Sequence, residues 1–199
     1  MCVISYIPKG VPTPPDKVIK AMHRANPHGC GLVTPSDHYK GMSIDLLLRH
    51  LHQRDINEPC LMHFRLATHG SIKKANCHPF HDDASDTWFM HNGILDITPS
   101  GDMTDSETAF REILAPEIQA HGLHSDNVRY AVRNIIGGSR FAFMQGSDVQ
   151  LFGQYERWHG TRGRPAFMAS RMAKDRASLQ REEHTYRSAL PRSSGTSVR

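Results

Sequence analysis

Residues 60–67, Cys60-Leu61-Met62-His63-Phe64-Arg65-Leu66-Ala67, alternate with period 2: Cys60, Met62, Phe64 and Leu66 fall on one face, His63 and Arg65 on the other. That spacing predicts a strand with one core face and one face left for chemistry or water. Upstream, residues 2–7 (CVISYI) are β-branched and apolar and stop at Pro8-Lys9-Gly10, which predicts a short buried strand that holds residue 2 in a sheet. Downstream, Thr87-Trp88-Phe89-Met90 predicts another strand, ended by His91-Asn92-Gly93, where Asn-Gly favours positive φ and a tight turn.

Helical spacing fills the gaps. Val18, Ile19 and Met22 lie opposite Lys17, Lys20 and Arg24, and Ile44, Leu47, Leu48 and Leu51 follow an i, i+3, i+4, i+7 pattern. His28-Gly29-Cys30-Gly31 reads as a turn entering a strand near Leu32-Val33. Thr104-x-x-Glu107 is a capping box opening a helix through Ala109, Phe110, Ile113 and Leu114, interrupted or restarted at Pro116. A further helix carries Val128, Ala131, Val132 and Ile135. Three strands follow Gly137-Gly138, at 141–144, 149–152 and 167–169. Strands at both ends with two helix pairs between them predict an α+β layered fold rather than a doubly wound one.

The 199-residue chain, 38% hydrophobic and 22% charged, suits one domain with a real core. No run nears the roughly 18 apolar residues of a membrane span, and the N-terminus lacks the basic and apolar regions of a secretion signal, so a cytoplasmic address and no membrane partner are expected. Cys2, Cys30, Cys60 and Cys77 are too scattered for a disulfide framework and form no CxxC pair. Residues 171–199 hold seven Lys and Arg against three Asp and Glu, which is the chain's whole net charge of +4. Residues 1–170 are therefore neutral, and nucleic acid is not an expected partner; 171–199 read as a basic, disordered tail. Neither GxGxxG nor a P-loop lysine occurs, which argues against nucleotide chemistry.

Cys2 becomes the N-terminal residue once Met1 is removed, and a free α-amine with an ordinary pKa of about 7.7 to 8.0 lets one residue supply both thiol nucleophile and base. Alone, Cys2 reads more readily as a small buried hydrophobe that starts the first strand. Arg65 reads alone as a strand-end arginine, Asp105 as a carboxylate favoured by the helix dipole, and Asn92-Gly93 as a plain turn.

Together, Met1-Cys2, His28-Gly29-Cys30-Gly31, Arg65-Leu66-Ala67-Thr68-His69-Gly70, Asn76-Cys77-His78-Pro79, His91-Asn92-Gly93-Ile94 and Asp105-Ser106-Glu107 stand in an order that resembles the class II glutamine amidotransferases, which are N-terminal nucleophile hydrolases. The resemblance spans residues 2 to about 170. It implies a four-layer αββα sandwich, a glutaminase domain over residues 1–170, and glutamine as substrate. It also implies Cys2 as nucleophile, Asn92 and Gly93 as oxyanion hole, and Arg65, Thr68, His69 and Asp105 as substrate-binding residues. Chemically, the Arg65 guanidinium suits a carboxylate, the Asp105 carboxylate an ammonium, and an amide beside a backbone N–H suits a developing oxyanion.

Leu66 stands where several members carry tryptophan, and His28-Gly29-Cys30 replaces an acidic turn. A synthase domain that would use the ammonia is missing from the chain, so a separate synthase or acceptor-binding chain is the implied partner. No cofactor is expected. The 14 histidines include His78-x-x-His81, but no HExxH occurs, and no metal is expected. Two rivals stay open: hydrolysis of another γ-glutamyl or small amide, and a non-catalytic binding module on the same fold.

Overall fold

The structure is a computed structural model that describes residues 2–67, 71–159 and 165–170. Among the described residues, ten strands form two antiparallel sheets. One holds six strands in the order β3 (His38–Gly41), β2 (Cys30–Val33), β4 (Cys60–Phe64), β1 (Val3–Ile7), β10 (Pro165–Ser170), β9 (Tyr155–His159). The other runs β5 (Phe80–Asp82), β6 (Thr87–Asn92), β7 (Arg140–Gln145), β8 (Asp148–Phe152).

Three clusters of buried side chains define the layers. Helices α1 (Asp16–Ala25) and α2 (Ile44–Gln53) bury Val18, Ile19, Met22, Leu47, Leu48 and Leu51 against Val3, Ile7, Cys60, Met62 and Phe64. The second sheet buries Phe89, Phe141 and Phe143 against Phe110, Leu114, Ile118, Val128 and Val132. The helical side of that layer is built from α3 (Asp105–Thr108), a π-helical turn (Ala109–Leu114), α4 (Ala115–His121) and α5 (Asp126–Ile136). Between the sheets, Ile4, Val33 and Leu61 meet Met90, Ala142 and Met144. Helix, sheet, sheet, helix is the expected four-layer αββα order.

The alternation in residues 60–67 has a different consequence from the expected one. β4 ends at Phe64, and all five of its residues are buried. Cys60, Met62 and Phe64 face the helices, while Leu61 joins the layer between the sheets and His63 is fully buried. In a sandwich of two sheets the second face is also interior, so its polar residue is desolvated rather than wet.

Local signals explain the helix starts. Ser43, Thr104 and Ser125 each accept from a backbone N–H three residues on, at 3.3, 3.2 and 3.2 Å, and each such cap stabilises its helix by about 1 kcal/mol. Pro116 does not break its helix. It lies in the first turn of α4, directly after the π-helical turn, where the wider ring already departs from the i→i−4 ladder in which a proline costs most. Among the described residues, no helix is long and apolar enough to cross a membrane. The segment read as a basic tail, 171–199, lies outside the described residues.

Candidate active site

Cys2 precedes β1, the strand paired to β4 on one side (Val3 opposite Phe64) and β10 on the other (Ser5 opposite Ala169). The Val3–Phe64 register sets Cys2 beside the segment that leaves β4. There the Leu66 N–H donates to Cys2 Sγ at 3.4 Å, and Sγ in turn lies 3.7 Å from the Leu66 carbonyl. Burial pushes the Cys2 thiol above its ordinary range, and the Leu66 backbone and the Arg65 charge offset this in part. Cys30 and Cys60, deeper in the fold, are pushed up to about 12 by burial, so neither supplies a thiolate near neutrality.

A cleft open to solvent is lined by Cys2, Arg65, Leu66, Ala67, Asn76, His78, His91, Gly93, Ile94, Thr104, Asp105 and Ser106. Arg65 is 5% exposed; its guanidinium donates to the Ser71 carbonyl at 3.2 Å, and Asn76 Nδ2 donates to the same oxygen at 2.9 Å. The backbone around it is fixed by the turn before β2. His28 N–H donates to the Arg65 carbonyl (2.9 Å), Arg65 N–H to the Gly29 carbonyl (2.8 Å), and Ala67 N–H to His28 Nδ1 (3.0 Å). In the turn that departs from the acidic pattern, His28 is thus the acceptor that holds the residues after Arg65. Gly29 and Gly31 are required here, because a Cβ on either would overlap Cys77 or the His78 backbone.

Asp105 sits in the first turn of α3. Its Oδ2 accepts from the Leu95 N–H at 3.0 Å, and Oδ1 faces the Ser106 hydroxyl at 3.3 Å. Gly93, at φ +150°, follows β6 and lines the cleft, and a Cβ there would overlap Ser139. Asn92, the last residue of β6, is fully buried and is not among the lining residues. The structure therefore brings Cys2, Arg65, Gly93 and Asp105 around one cleft with Asn92 beside it in the chain. Thr68 and His69 lie outside the described residues.

Three buried imidazoles cluster at the cleft, His78 and His91 in its lining and His63 behind them. His63 Nε2 donates to the His91 carbonyl at 3.0 Å, His91 Nδ1 pairs with Ser106 Oγ at 2.7 Å, and the His63 and His78 rings are 4.2 Å apart. Burial drives their pKa values down, to about 3 for His63 and about 4 for His91, and well below the ordinary value for His78. All three are neutral at pH 7. No group of three or more His, Cys, Asp or Glu among the described residues is arranged to hold a metal ion. Sequence reasoning missed Ser71, Ser106 and Ser139. Each acts through one hydroxyl or carbonyl, or through its bulk, and a lone serine carries no periodic signal.

Residues 42–184 match the family model described as glutamine amidotransferases class-II. No curated protein matches the chain in sequence. Similar solved structures include the glutamine phosphoribosylpyrophosphate amidotransferase from B. subtilis complexed with ADP and GMP, at 16% identity and a TM-score of 0.54. Another is a structure of the allosteric regulatory enzyme of purine biosynthesis, at 14% identity and a TM-score of 0.54. In both, the alignment covers 85% of this chain and 41% of the other, so this chain spans about two-fifths of their length. At such identities the likeness is one of fold.

Proposed function

This chain belongs to the class II glutamine amidotransferases, and from that premise we propose that it hydrolyses the side-chain amide of glutamine to glutamate and ammonia through a thioester on Cys2. The observation that carries this reading is the cleft itself, on which a thiol, a buried guanidinium and a helix-start carboxylate converge.

The chemistry follows from the charges. The Arg65 guanidinium clamps the α-carboxylate and Asp105 takes the α-ammonium, with Thr68 and His69 as further substrate-binding residues by family resemblance. The γ-amide then lies towards Cys2. Because burial raises the Cys2 thiol, the resting nucleophile is protonated, and attack needs a base close by. The α-amine exposed by removal of Met1 supplies it, taking the thiol proton as sulfur bonds to the amide carbon and returning it to the departing ammonia. The oxyanion formed in between accepts from the Gly93 N–H and the Asn92 amide; losing one such donor costs on the order of 3 kcal/mol in the transition state. Water then cleaves the thioester and releases glutamate. Ammonia passes to an acceptor bound by a separate synthase chain, with residues 171–199 as the contact. No cofactor enters any step.

A glutamine turnover assay on protein whose N-terminus has been read by mass spectrometry tests this. Protein beginning at Cys2 releases ammonia and glutamate in equal amounts. Equal turnover by protein shown to retain Met1 would overturn the role of the α-amine, and no turnover by correctly processed protein would overturn the reading as a whole.

A further inference from the structure

Ser106 Oγ lies 2.7 Å from His91 Nδ1 and 3.3 Å from Asp105 Oδ1. A serine hydroxyl has one proton for these two neighbours. An ionised carboxylate only accepts, so a Ser106 proton directed at His91 would leave two oxygen lone pairs facing each other across the contact with Asp105. The favourable arrangement sends the Ser106 proton to Asp105 and has Ser106 accept from His91. His91 is neutral at pH 7, since burial holds its pKa down to about 4, and it therefore carries its one ring proton on Nδ1. Its Nε2 is then a bare lone pair. That atom is buried and has no hydrogen-bond partner, and His91 belongs to the wall of the cleft.

An orphaned acceptor on a residue of the cleft wall calls for a donor, because a buried polar atom left unpaired is costly. Glutamine brings N–H groups at both ends, the α-ammonium and the γ-amide. We propose that His91 is a substrate-binding residue: Asp105 and Ser106 fix it as the Nδ1–H tautomer, and its Nε2 accepts an N–H of the bound glutamine. This rests on the glutaminase reading above. Asp105 and Ser106 thereby gain a second task as positioning residues, setting which ring nitrogen faces the substrate.

The experiment is nitrogen-15 spectroscopy of the histidine rings at pH 7 in Cys2→Ala protein, which binds glutamine without consuming it. The His91 signals are assigned by their loss in His91→Gln. Without ligand, Nδ1 is protonated and Nε2 bare; a proton on Nε2 overturns the proposal whether or not the protein is a glutaminase. Added glutamine shifts the Nε2 resonance towards that of a hydrogen-bonded acceptor. If the Arg65 side-chain resonance moves and His91 Nε2 does not, the proposal fails and the glutaminase reading stands; if neither moves at saturation, both fall. Glutaramate, which keeps the carboxylate and amide but lacks the α-ammonium, separates the two donors: the shift persists if the amide is bound and vanishes if the ammonium is.

A kinetic arm uses Cys2 protein. Ser106→Ala gives a mixture of tautomers and raises KM for glutamine by about tenfold, with kcat within about threefold, as expected for loss of a binding hydrogen bond. Ser106→Thr, which keeps the hydroxyl, restores both tautomer and KM. An unchanged KM with a scrambled tautomer overturns the proposal.

Discussion

The Leu66 N–H donates to Cys2 Sγ, so the proposed nucleophile and the residue next to the proposed carboxylate clamp share one hydrogen bond across two neighbouring segments. The bond partly offsets the burial that raises the thiol. In ligand-free protein, Cys2 is expected to react with iodoacetamide slowly at pH 7, with a rate that rises about tenfold per pH unit until the raised pKa is passed. Cys30 and Cys60 remain unmodified over the same range. Peptide mass spectrometry across pH 6 to 9 checks this, and a fast, pH-independent reaction at Cys2 would contradict the raised pKa. Cys2→Ser should lose orders of magnitude in turnover.

Arg65→Lys keeps the charge and loses the planar fork. It is expected to raise KM for glutamine by about 10- to 100-fold at unchanged melting temperature, and Asp105→Asn to behave alike. Turnover of a simple amide without α-carboxylate or α-amine should be unaffected by either. Equal loss on both substrates would remove the clamp assignment.

Gly93→Ala combines a positive φ with overlap against Ser139. Strain of this kind costs about 1–3 kcal/mol, so the midpoint of urea unfolding should fall and kcat with it. Asn92→Ala should lower kcat more than it raises KM, because an oxyanion donor works chiefly in the transition state. Full stability and full turnover in the Gly93→Ala variant would place the oxyanion elsewhere.

Acid should destabilise the fold through the buried imidazoles. The folded pKa values of His63 and His91, about 3 and about 4, lie below the unfolded value of about 6.5. The unfolded chain therefore binds more protons below pH 6.5, and stability present above that pH is lost as pH falls towards 4. Each histidine contributes about 1.4 kcal/mol per pH unit in that window. Neighbouring Lys40 and Arg65 oppose protonation of His78, while Asp105 favours that of His91. Urea unfolding at pH 7, 6, 5 and 4 should give a slope that falls by about one proton in His63→Gln.

Much of this architecture is legible in the sequence, for definite reasons. The apolar stripes of α1 and α2 are the residues that pack on the six-stranded sheet, because a helix on one side of a sheet has one buried face. The ordered motifs bring Cys2, Arg65, Gly93 and Asp105 to one cleft. What stays hidden is short or two-sided. β3, β5 and β9 span three to five residues, and β5 and β3 carry His, Asp and Lys that give no alternation. His63 reads as a wet-face residue because period 2 reports which residues share a face and is silent on whether a second sheet covers it. The His91–Ser106–Asp105 contacts join residues on different elements, which no local spacing encodes.

The pairing of Ser5 with Ala169 has a consequence for how the protein comes into being. The strand that follows Cys2 is central in its sheet, and one of its two neighbours is the strand that ends at Ser170. As the ribosome makes the chain from its amino end, β1 must wait for β10 before its second edge is covered. Closing so long a loop is entropically slow, and an uncovered central strand invites pairing with other chains. Residues 2–7 are apolar and β-branched, so the interval between their synthesis and that of 165–170 is the stage at which this protein most needs a chaperone or a low concentration of its own nascent copies.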